Sequence, residues 1–488
     1  MSRLVGTVQQ AVAALSDGLL PGPGTVFLAG GIVRDLVLGR SPRDIDLLVE
    51  GDSSASEFTL RALERLSGME PVIFDRREPA TWRVIVQGRI VDAGFCAPDG
   101  VSVALKRRDF TINALAAPLR SIGHLFAPGA VPASLEAVAD HLRPVLVDPV
   151  DGLADLLARR LRTASPRSLE EDPLRLLRAV RMWATLDGFV IEDELLGRIA
   201  RLAPRIGEPA AERIGSEMQL ILDSPRSSAA VRMMDSVGLL DRILPELSPL
   251  AGVAQPPRYH DHDAREHSLR ALAEAERLVS GDNPLGVAAL RGDDRGVLMW
   301  AALLHDSGKA AAATRDAAGT PHFYGHEELS ATLAEGALRR LRIPGRLAEP
   351  VANLIRWHLR AGALAVAGAG DRPVRRLVRL AGERLDGLLL LALADRRAAG
   401  GSDAAPLEER LVALCRRALE VREEVAEDAA APPLLDGREI MEILDLSPGP
   451  RVGSIIRWLD RMRTERRLRT REEAVSLLRS LPSPRIPE

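Results

Sequence analysis

The sequence predicts an α+β protein with a small mixed-sheet head followed by an extended all-α body. Three observations carry this reading. Residues 1–150 alternate short β-branched apolar runs with helical segments. From about Leu153 onward nearly every stretch has helical spacing and is rich in Leu, Ala and Arg. Clusters of Pro, Gly and Ser at 222–228, 254–263 and 398–406 punctuate the helical part. The expected division is a head at 1–150, a helical neck at 151–255, a third region at 256–400 and a helical tail at 401–488, with "AEDAAAPP" (426–433) as a linker.

In the head, "TVFLAG" (25–30) reads as a strand closing in a Gly-Gly turn, and "IVRDLVLG" (32–39) as a helix that stops at Gly39. "DIDLLVEG" (44–51) reads as a second strand, and "PVIFD", "WRVIVQG" and "RIVDAGF" as three more. Side chains alternate along a strand, so Asp44 and Asp46 share one face. Two carboxylates on one face repel unless a cation lies between them, and oxygen ligands of this kind suit Mg²⁺. The adjacent Gly30-Gly31 turn offers bare backbone N–H groups where a helix begins, a cradle for a triphosphate. Asp92 lies on a neighbouring strand, where a third carboxylate could face the same site.

Two further clusters follow. In "LKRRDFTINALA" (105–116), Lys106, Arg107 and Arg108 could hold phosphates and Asp109 a ribose hydroxyl, with Asn113 on a helix starting near Thr111. In "LEEDPLRLLRAVRMW" (169–183), Pro173 suits a first helical turn, and Asp172, Arg175 and Arg178 recur at i, i+3 and i+6 on one face. Such a face can read a base. A carboxylate accepts from an exocyclic amino group and an Arg donates to a ring nitrogen or carbonyl, which admits C and A and rejects U and G. An ordinary intrahelical salt bridge is the competing explanation.

The middle of the chain carries most of the histidines: His267, His305-Asp306 in "LLHDSGK", His326, His358, and then Asp395. An ionisable pair on an apolar helical stretch is costly without a partner, and imidazole with carboxylate suits a first-row transition metal. Six such ligands could hold one or two ions.

Composition sets bounds. The chain has 488 residues, a net charge of −3 and 27% charged residues, so nucleic-acid binding has to use local patches. Only two of the 65 basic residues are lysines, Lys106 and Lys309, and both lie in the clusters above. Cys96 and Cys415 form neither a disulfide framework nor a zinc pattern. The apolar run at 388–394 is too short to cross a bilayer and no secretion signal is visible, so the expected location is the cytoplasm, away from membranes.

Taken in order, "GGIVRD…DIDLLV", "RRDFTINALA", "DGLADLLARRLR" and "EEDPLRLLRAVR" resemble the successive motifs of the bacterial (class II) CCA-adding tRNA nucleotidyltransferases and their poly(A) polymerase relatives, over about residues 25–250. The resemblance implies that Asp44 and Asp46 are catalytic Mg²⁺ ligands. It places Gly30, Gly31 and Arg34 at the triphosphate, Arg108, Asp109 and Asn113 at the nucleotide and its ribose, and Glu171, Asp172 and Arg175, with Arg178 on the same face, at the base. tRNA, CTP and ATP are the implied partners, and "LLDGREIMEILDLSPGPRVGSII" (434–456) is similar to tails where tRNA contacts are expected. Residues 260–400 resemble the HD-domain metal-dependent phosphohydrolases. That resemblance implies His267, His305, Asp306 and Asp395 as core ligands, His326 and His358 as completing a binuclear site, Lys309 as a phosphate contact, and RNA 2′,3′-cyclic or 2′-phosphate ends as substrates.

Three rivals share parts of this pattern. A poly(A) polymerase has the same head motifs but often a basic C-terminal extension, whereas here the basic residues around 461–471 form no long run. An HD-type nucleotide phosphohydrolase with an inactive head is opposed by the intact Asp44/Asp46 pair. A non-catalytic tRNA-binding protein does not need the full set of chemical residues in both regions. Within the family, a long flexible loop before "RRDF" accompanies the switch from C to A. The segment Asp92–Asp109 here is short and has Val103-Ala104-Leu105 where acidic residues are usual, which predicts CC addition with little or no terminal A; the alternative is that another segment, or the HD-like region, compensates and complete CCA is made.

Overall fold

The computed structural model describes residues 2–75, 80–98, 100–126, 135–256, 258, 260–280, 283–400, 404–430, 432–464, 468 and 470–480. The chain separates into two compact units, one of 1–217 with 233–242 and the other of 218–232 with 243–488. Among the described residues no helix is long and apolar enough to cross a membrane.

The first unit is built on a six-stranded mixed sheet. Its strands are β1 (Thr25–Ala29), β2 (Ile45–Glu50), β3 (Val72–Asp75), β4 (Thr81–Val86), β5 (Arg89–Cys96) and β6 (Ala116–Pro118), in the order β3-β4-β5-β2-β1-β6. β2 pairs antiparallel with β1 and parallel with β5, so Asp46 stands opposite Ala29 on one side and Asp92 on the other. β4 and β5 form a tight hairpin in which Val86 pairs with Arg89. The two linking residues, Gln87 and Gly88, both have positive φ (50° and 72°), the turn whose twist matches a two-residue hairpin.

All five strands read from sequence are present, and their short runs of β-branched and other apolar residues explain why. β2 buries Ile45, Leu47, Leu48 and Val49, while Asp46 stays half-exposed. Three local expectations are corrected. Asp44 lies one residue ahead of β2, exposed, because pairing with β1 and β5 begins at Ile45 and Asp46. Asn113 ends a single 3₁₀ turn, Thr111–Asn113, and not a longer helix. Asp172 is not on the helix of Arg175: a short helix, Ser168–Glu171, ends there with Asp172 extended (φ −143°, ψ 98°), and the next, Leu174–Thr185, starts after Pro173. Pro at that step cannot continue the first helix but is well placed to begin the second.

The second unit is helical. Its described helices include Ala264–Leu278, Gly292–Leu304, His326–Arg340, Gly345–Val366, Leu385–Ala399 and Ala404–Ala430. Asp263 caps the first of these by accepting from the Glu266 N–H (2.9 Å). Gly292–Leu304 is buried throughout its second half, which explains the lack of an amphipathic pattern there. The expected linker at 426–433 is corrected: the helix runs on to Ala430, as its Ala and Glu content favours. The tail packs helices Gly437–Leu444, Pro450–Thr464 and Arg471–Ser480 around Leu435, Ile440, Ile455, Leu459 and Leu478.

Candidate functional site

The two units carry two separate clusters of chemical groups. In the first unit Gly30 turns the chain from β1 into the helix Gly31–Val37. Its φ of 72° and its closeness to Asp46, whose Oδ2 would lie 2.9 Å from an added Cβ, leave no room for a side chain. Asp46 accepts from Arg108 Nη1 at 3.0 Å. Asp92, opposite it on β5, is held bidentately by Arg83 on β4, at 2.7 and 2.8 Å. Partial desolvation and the nearby Asp46 and Asp92 carboxylates raise the carboxyl of Asp44 above its ordinary value. Three acids crowded this way disfavour their own ionisation, and a hard divalent cation removes that cost. The donor set therefore fits Mg²⁺.

Behind this cluster a chain of hydrogen bonds fixes the basic residues. Arg34 donates to Asn113 Oδ1 (2.6 Å), and Asn113 Nδ2 donates to Asp109 Oδ1 (2.9 Å). The other oxygen of Asp109 accepts from Arg178 Nε (2.8 Å) and Nη2 (2.5 Å). Burial opposes the charge of Asp109, but the Arg178 guanidinium and the Asn113 amide outweigh it and hold the carboxyl well below the carboxylate range. Arg175 donates to Ser168 Oγ (2.9 Å) and to the Arg107 carbonyl (2.8 Å), and Glu171 lies 3.8 Å from it. Asp172 accepts from Arg213 at 2.8 Å. The structure thus brings Gly30, Gly31, Arg34, Asp44, Asp46, Arg108, Asp109 and Asn113 into one connected region. Glu171, Asp172, Arg175 and Arg178 flank it on the two short helices, each engaged within the protein.

Sequence reading missed Arg83, Ser168 and Glu217. Glu217 accepts from Arg181 (2.6 Å) and lies 3.7 Å from Arg178, and no local pattern marks it. Arg83 was accessible in principle, since the Gln87-Gly88 turn sets the register that places it opposite Asp92.

In the second unit the expected ligands converge from separate elements. His267, His358 and Asp395 project from helices, and His326 opens one. His305 and Asp306 lie in the turn after helix Gly292–Leu304 and not within it, a correction that frees both side chains to point inward. His267 Nε2 is 3.2 Å from His305 Nε2, 2.9 Å from Asp395 Oδ1 and 3.3 Å from Asp306 Oδ2. His326 Nε2 is 3.2 Å from the other Asp306 oxygen. Asp306 thus faces two ligand sets, one with His267 and His305 and one with His326 and His358.

Three of the imidazoles share a device. Nδ1 of His305, His326 and His358 approaches the carbonyl three residues earlier: Ala302 (3.0 Å), Phe323 (2.7 Å) and Ile355 (2.6 Å). A carbonyl only accepts, so Nδ1 carries a proton and Nε2 is the atom left to face a metal. At His305, despite burial, the Asp306 and Asp395 carboxylates raise the imidazole to about 10, so a bound cation would take the place of its Nε2 proton. Burial brings His358 down to about 4, so it stays neutral. Despite burial, the surrounding imidazoles hold the Asp306 and Asp395 carboxyls well below their ordinary range. Two ionised carboxylates at a buried point require a cation, and the donors fit a first-row transition metal. Lys309 Nζ reaches Asp306 Oδ2 and Gln255 Oε1, both at 2.6 Å.

Gly308 closes this turn against the start of the His326 helix, where its N–H donates to Ser330 Oγ (2.9 Å). A Cβ on Gly308 would lie 2.7 Å from the Ser330 nitrogen and 2.8 Å from the His326 carbonyl oxygen. The ligand cluster borders a cavity of about 680 Å³ whose lining includes Gln255, His260, Asp306, Lys309, His326, His358 and Asp395. Gln255 and His260 were missed because they lie in a Pro-rich segment read as a boundary. His260 packs edge-on against His267 (centroids 4.9 Å apart), and burial lowers it to about 3.

Known protein families match the region around each cluster. The poly A polymerase head-domain family matches residues 26–162, the RNA and SrmB-binding region of polymerase A matches 188–250, and the HD-domain family matches 265–400. The A-adding tRNA nucleotidyltransferase of Deinococcus radiodurans is 34% identical over 463 residues, covering 93% of this chain and 95% of its own. The CC-adding tRNA nucleotidyltransferase of Thermus thermophilus is also 34% identical, over 467 residues and 93% of each chain. The fold is shared with the Thermotoga maritima CCA-adding enzyme solved in complex with tRNA, at a TM-score of 0.57 and 17% identity over 98% of this chain and 97% of that one. With relatives this similar along almost its whole length, the chain belongs to the tRNA nucleotidyltransferase and poly(A) polymerase family, in a form that carries an HD domain.

Proposed function

We propose that this protein adds cytidine, from CTP, to the 3′ ends of tRNA, with ATP as a poor second substrate or none, and that its second unit removes phosphates from RNA ends. The observation that carries the first part is the carboxylate cluster Asp44, Asp46 and Asp92 beside the Gly30-Gly31 turn and Arg34. The tRNA 3′-oxygen forms a bond to the α-phosphorus, the bond from that phosphorus to its bridging oxygen breaks, and pyrophosphate leaves. When bound by Asp44 and Asp46, Mg²⁺ supplies positive charge for the attacking and leaving oxygens. The backbone at Gly30-Gly31 and Arg34 orient the triphosphate, and Arg108 exchanges Asp46 for a phosphate oxygen. Asp109 and Asn113 keep Arg34 and Arg178 in register, and Glu171, Asp172 and Arg175 select the base. Residues 1–150 then act as the catalytic head, 151–255 as the selecting and RNA-binding neck, 256–400 as the hydrolase and 401–488 as a tRNA-contacting tail, in a cytoplasmic protein.

Restriction to cytidine rests on the segment before Arg108. Strand β5 ends at Cys96, and helix Val101–Lys106 follows almost at once, with Cys96, Val101, Ala104 and Leu105 packed in one core cluster with Phe27, Ala29 and Leu48. A segment packed this way has little freedom to reshape a pocket between two bases. The Deinococcus radiodurans and Thermus thermophilus relatives each bear the name of a partial activity, A-adding or CC-adding, which supports a division of labour here. The test is to supply CTP and ATP with tRNA ending at the discriminator base and to sequence the products. Complete CCA ends made efficiently reject the CC reading, one A added only to tRNA already ending in CC identifies an A-adding enzyme, and long A tracts identify a poly(A) polymerase.

For the second unit, the bound metal would supply an activated water for phosphoester hydrolysis. His267, His305, Asp306, His326, His358 and Asp395 hold it, Lys309 steadies Asp306 and offers its ammonium to a phosphate, and burial keeps the ligands oriented. The test is release of phosphate from 2′-phosphate and 2′,3′-cyclic phosphate RNA ends by the metal-loaded protein. Activity confined to free nucleotides with an inert head supports the nucleotide phosphohydrolase reading instead.

A further inference from the structure

The cavity beside the histidine cluster has a second set of lining groups that hydrolysis itself does not use. Tyr324 is the most exposed large hydrophobic side chain among the described residues, at 79%, in a chain with only two tyrosines. It lines the cavity together with His322, Leu359 and Val366. Leu359 and Val366 are also exposed apolar side chains, on the same helix as the ligand His358. Isolated exposed apolar residues need no explanation, but three at one mouth, above a buried polar floor, mark a place that takes something flat and apolar.

The ring pair has a defined geometry. His322 and Tyr324 are stacked, 8° from parallel, with centroids 5.3 Å apart. Tyr324 Oη lies 3.4 Å from His322 Nδ1, and the other ring nitrogen, Nε2, is 3.1 Å from Asp316 across a hairpin of Thr314–Arg315 with Pro321–His322. Tyr324 thus rests on a backed ring and keeps much of its own surface free. The floor of the same cavity holds Lys309, whose ammonium suits a phosphate, beside the candidate metal ligands Asp306, His326 and His358. At about 680 Å³ the space is in the range of roughly 300–1,000 Å³ that encloses a small organic ligand.

We propose that the His322–Tyr324 pair is a stacking platform for the terminal base of an RNA 3′ end whose phosphate lies on the Asp306–Lys309 floor. This rests on the hydrolase reading above and adds its specificity. Stacking uses the face that every base has, so the site accepts any terminal nucleotide and discriminates against phosphates that carry no base.

The test measures binding to the metal-loaded full-length chain by calorimetry, with cytidine 3′-monophosphate, adenosine 3′-monophosphate and base-free ribose 3-phosphate. Tyr324→Ala is expected to weaken both nucleotides about tenfold and to leave ribose 3-phosphate unchanged, while Tyr324→Phe keeps wild-type affinity. Unchanged nucleotide binding in Tyr324→Ala, or an equal loss for ribose 3-phosphate, overturns the platform. So does a wild-type protein that binds the nucleotides no better than ribose 3-phosphate. Turnover of cyclic-phosphate RNA is scored separately: nucleotide binding that depends on Tyr324 without turnover removes the hydrolase reading and leaves the platform standing.

Discussion

Asp109 and Arg178, 69 residues apart, meet in a two-point ion pair in which one carboxylate oxygen accepts from Nε at 2.8 Å and from Nη2 at 2.5 Å. Asp109 is buried, and the pair ties the segment just before the 3₁₀ turn Thr111–Asn113 to the helix that carries Arg175. Removing one partner of such a pair leaves the other charge stranded. Asp109→Ala is expected to cost about 3–5 kcal/mol. Urea unfolding of the variant checks this, and a loss under about 1 kcal/mol would show that the pair is not structural.

Asp44→Ala and Asp46→Ala each remove a carboxylate where positive charge has to be held. Transition-state stabilisation of several kcal/mol corresponds to a fall of at least about 10³-fold in nucleotide addition. Binding of tRNA, followed by filter retention, should change little, because neither side chain is needed to hold RNA. Near wild-type addition by either variant would remove both residues from the chemistry.

The two clusters belong to different compact units, so they should fail independently. The double variant His305→Ala, Asp306→Ala should lose phosphate release from RNA ends and keep most of its addition activity. Parallel loss of both in a folded protein would point to a single shared site.

Asp306 faces His267 and His305 with one oxygen and His326 with the other. Full loading should therefore give two ions per chain, and His326→Ala should reduce this to about one while the first site persists. Elemental analysis after dialysis against metal gives the count. One ion in the wild type, unchanged in the variant, would exclude the two-set arrangement. Removal by a chelator should abolish the hydrolase and lower the Tm, since five buried ligands then lose their partner.

The site was more legible in the sequence than the contacts that hold it. Asp44 and Asp46 stood out because alternating spacing makes two acids on one face improbable without a cation. The His305-Asp306 pair stood out because it follows an apolar helical stretch, and the other four HD-type ligands through the order in which they recur along the chain. Element ends were harder. Asp172 reads as the first residue of a helical face, yet Pro173 breaks the helix there and turns its carboxylate to Arg213. Arg178 reads as a base contact, yet it is engaged by Asp109 from far along the chain. Glu217 and Gln255 were invisible for the same reason: their partners are set by packing between distant segments, which no local period encodes.

Gly308 has a consequence for how this centre can vary. It carries no ligand atom, yet any side chain there would drive the Asp306 turn away from the amino end of the His326 helix. A random screen for loss of phosphate release should therefore recover Gly308 substitutions alongside changes in the ligands themselves. Two of the three atoms that such a side chain would meet, the Ser330 nitrogen and the His326 carbonyl oxygen, belong to the main chain, so substitutions at Ser330 or Leu329 should not restore function.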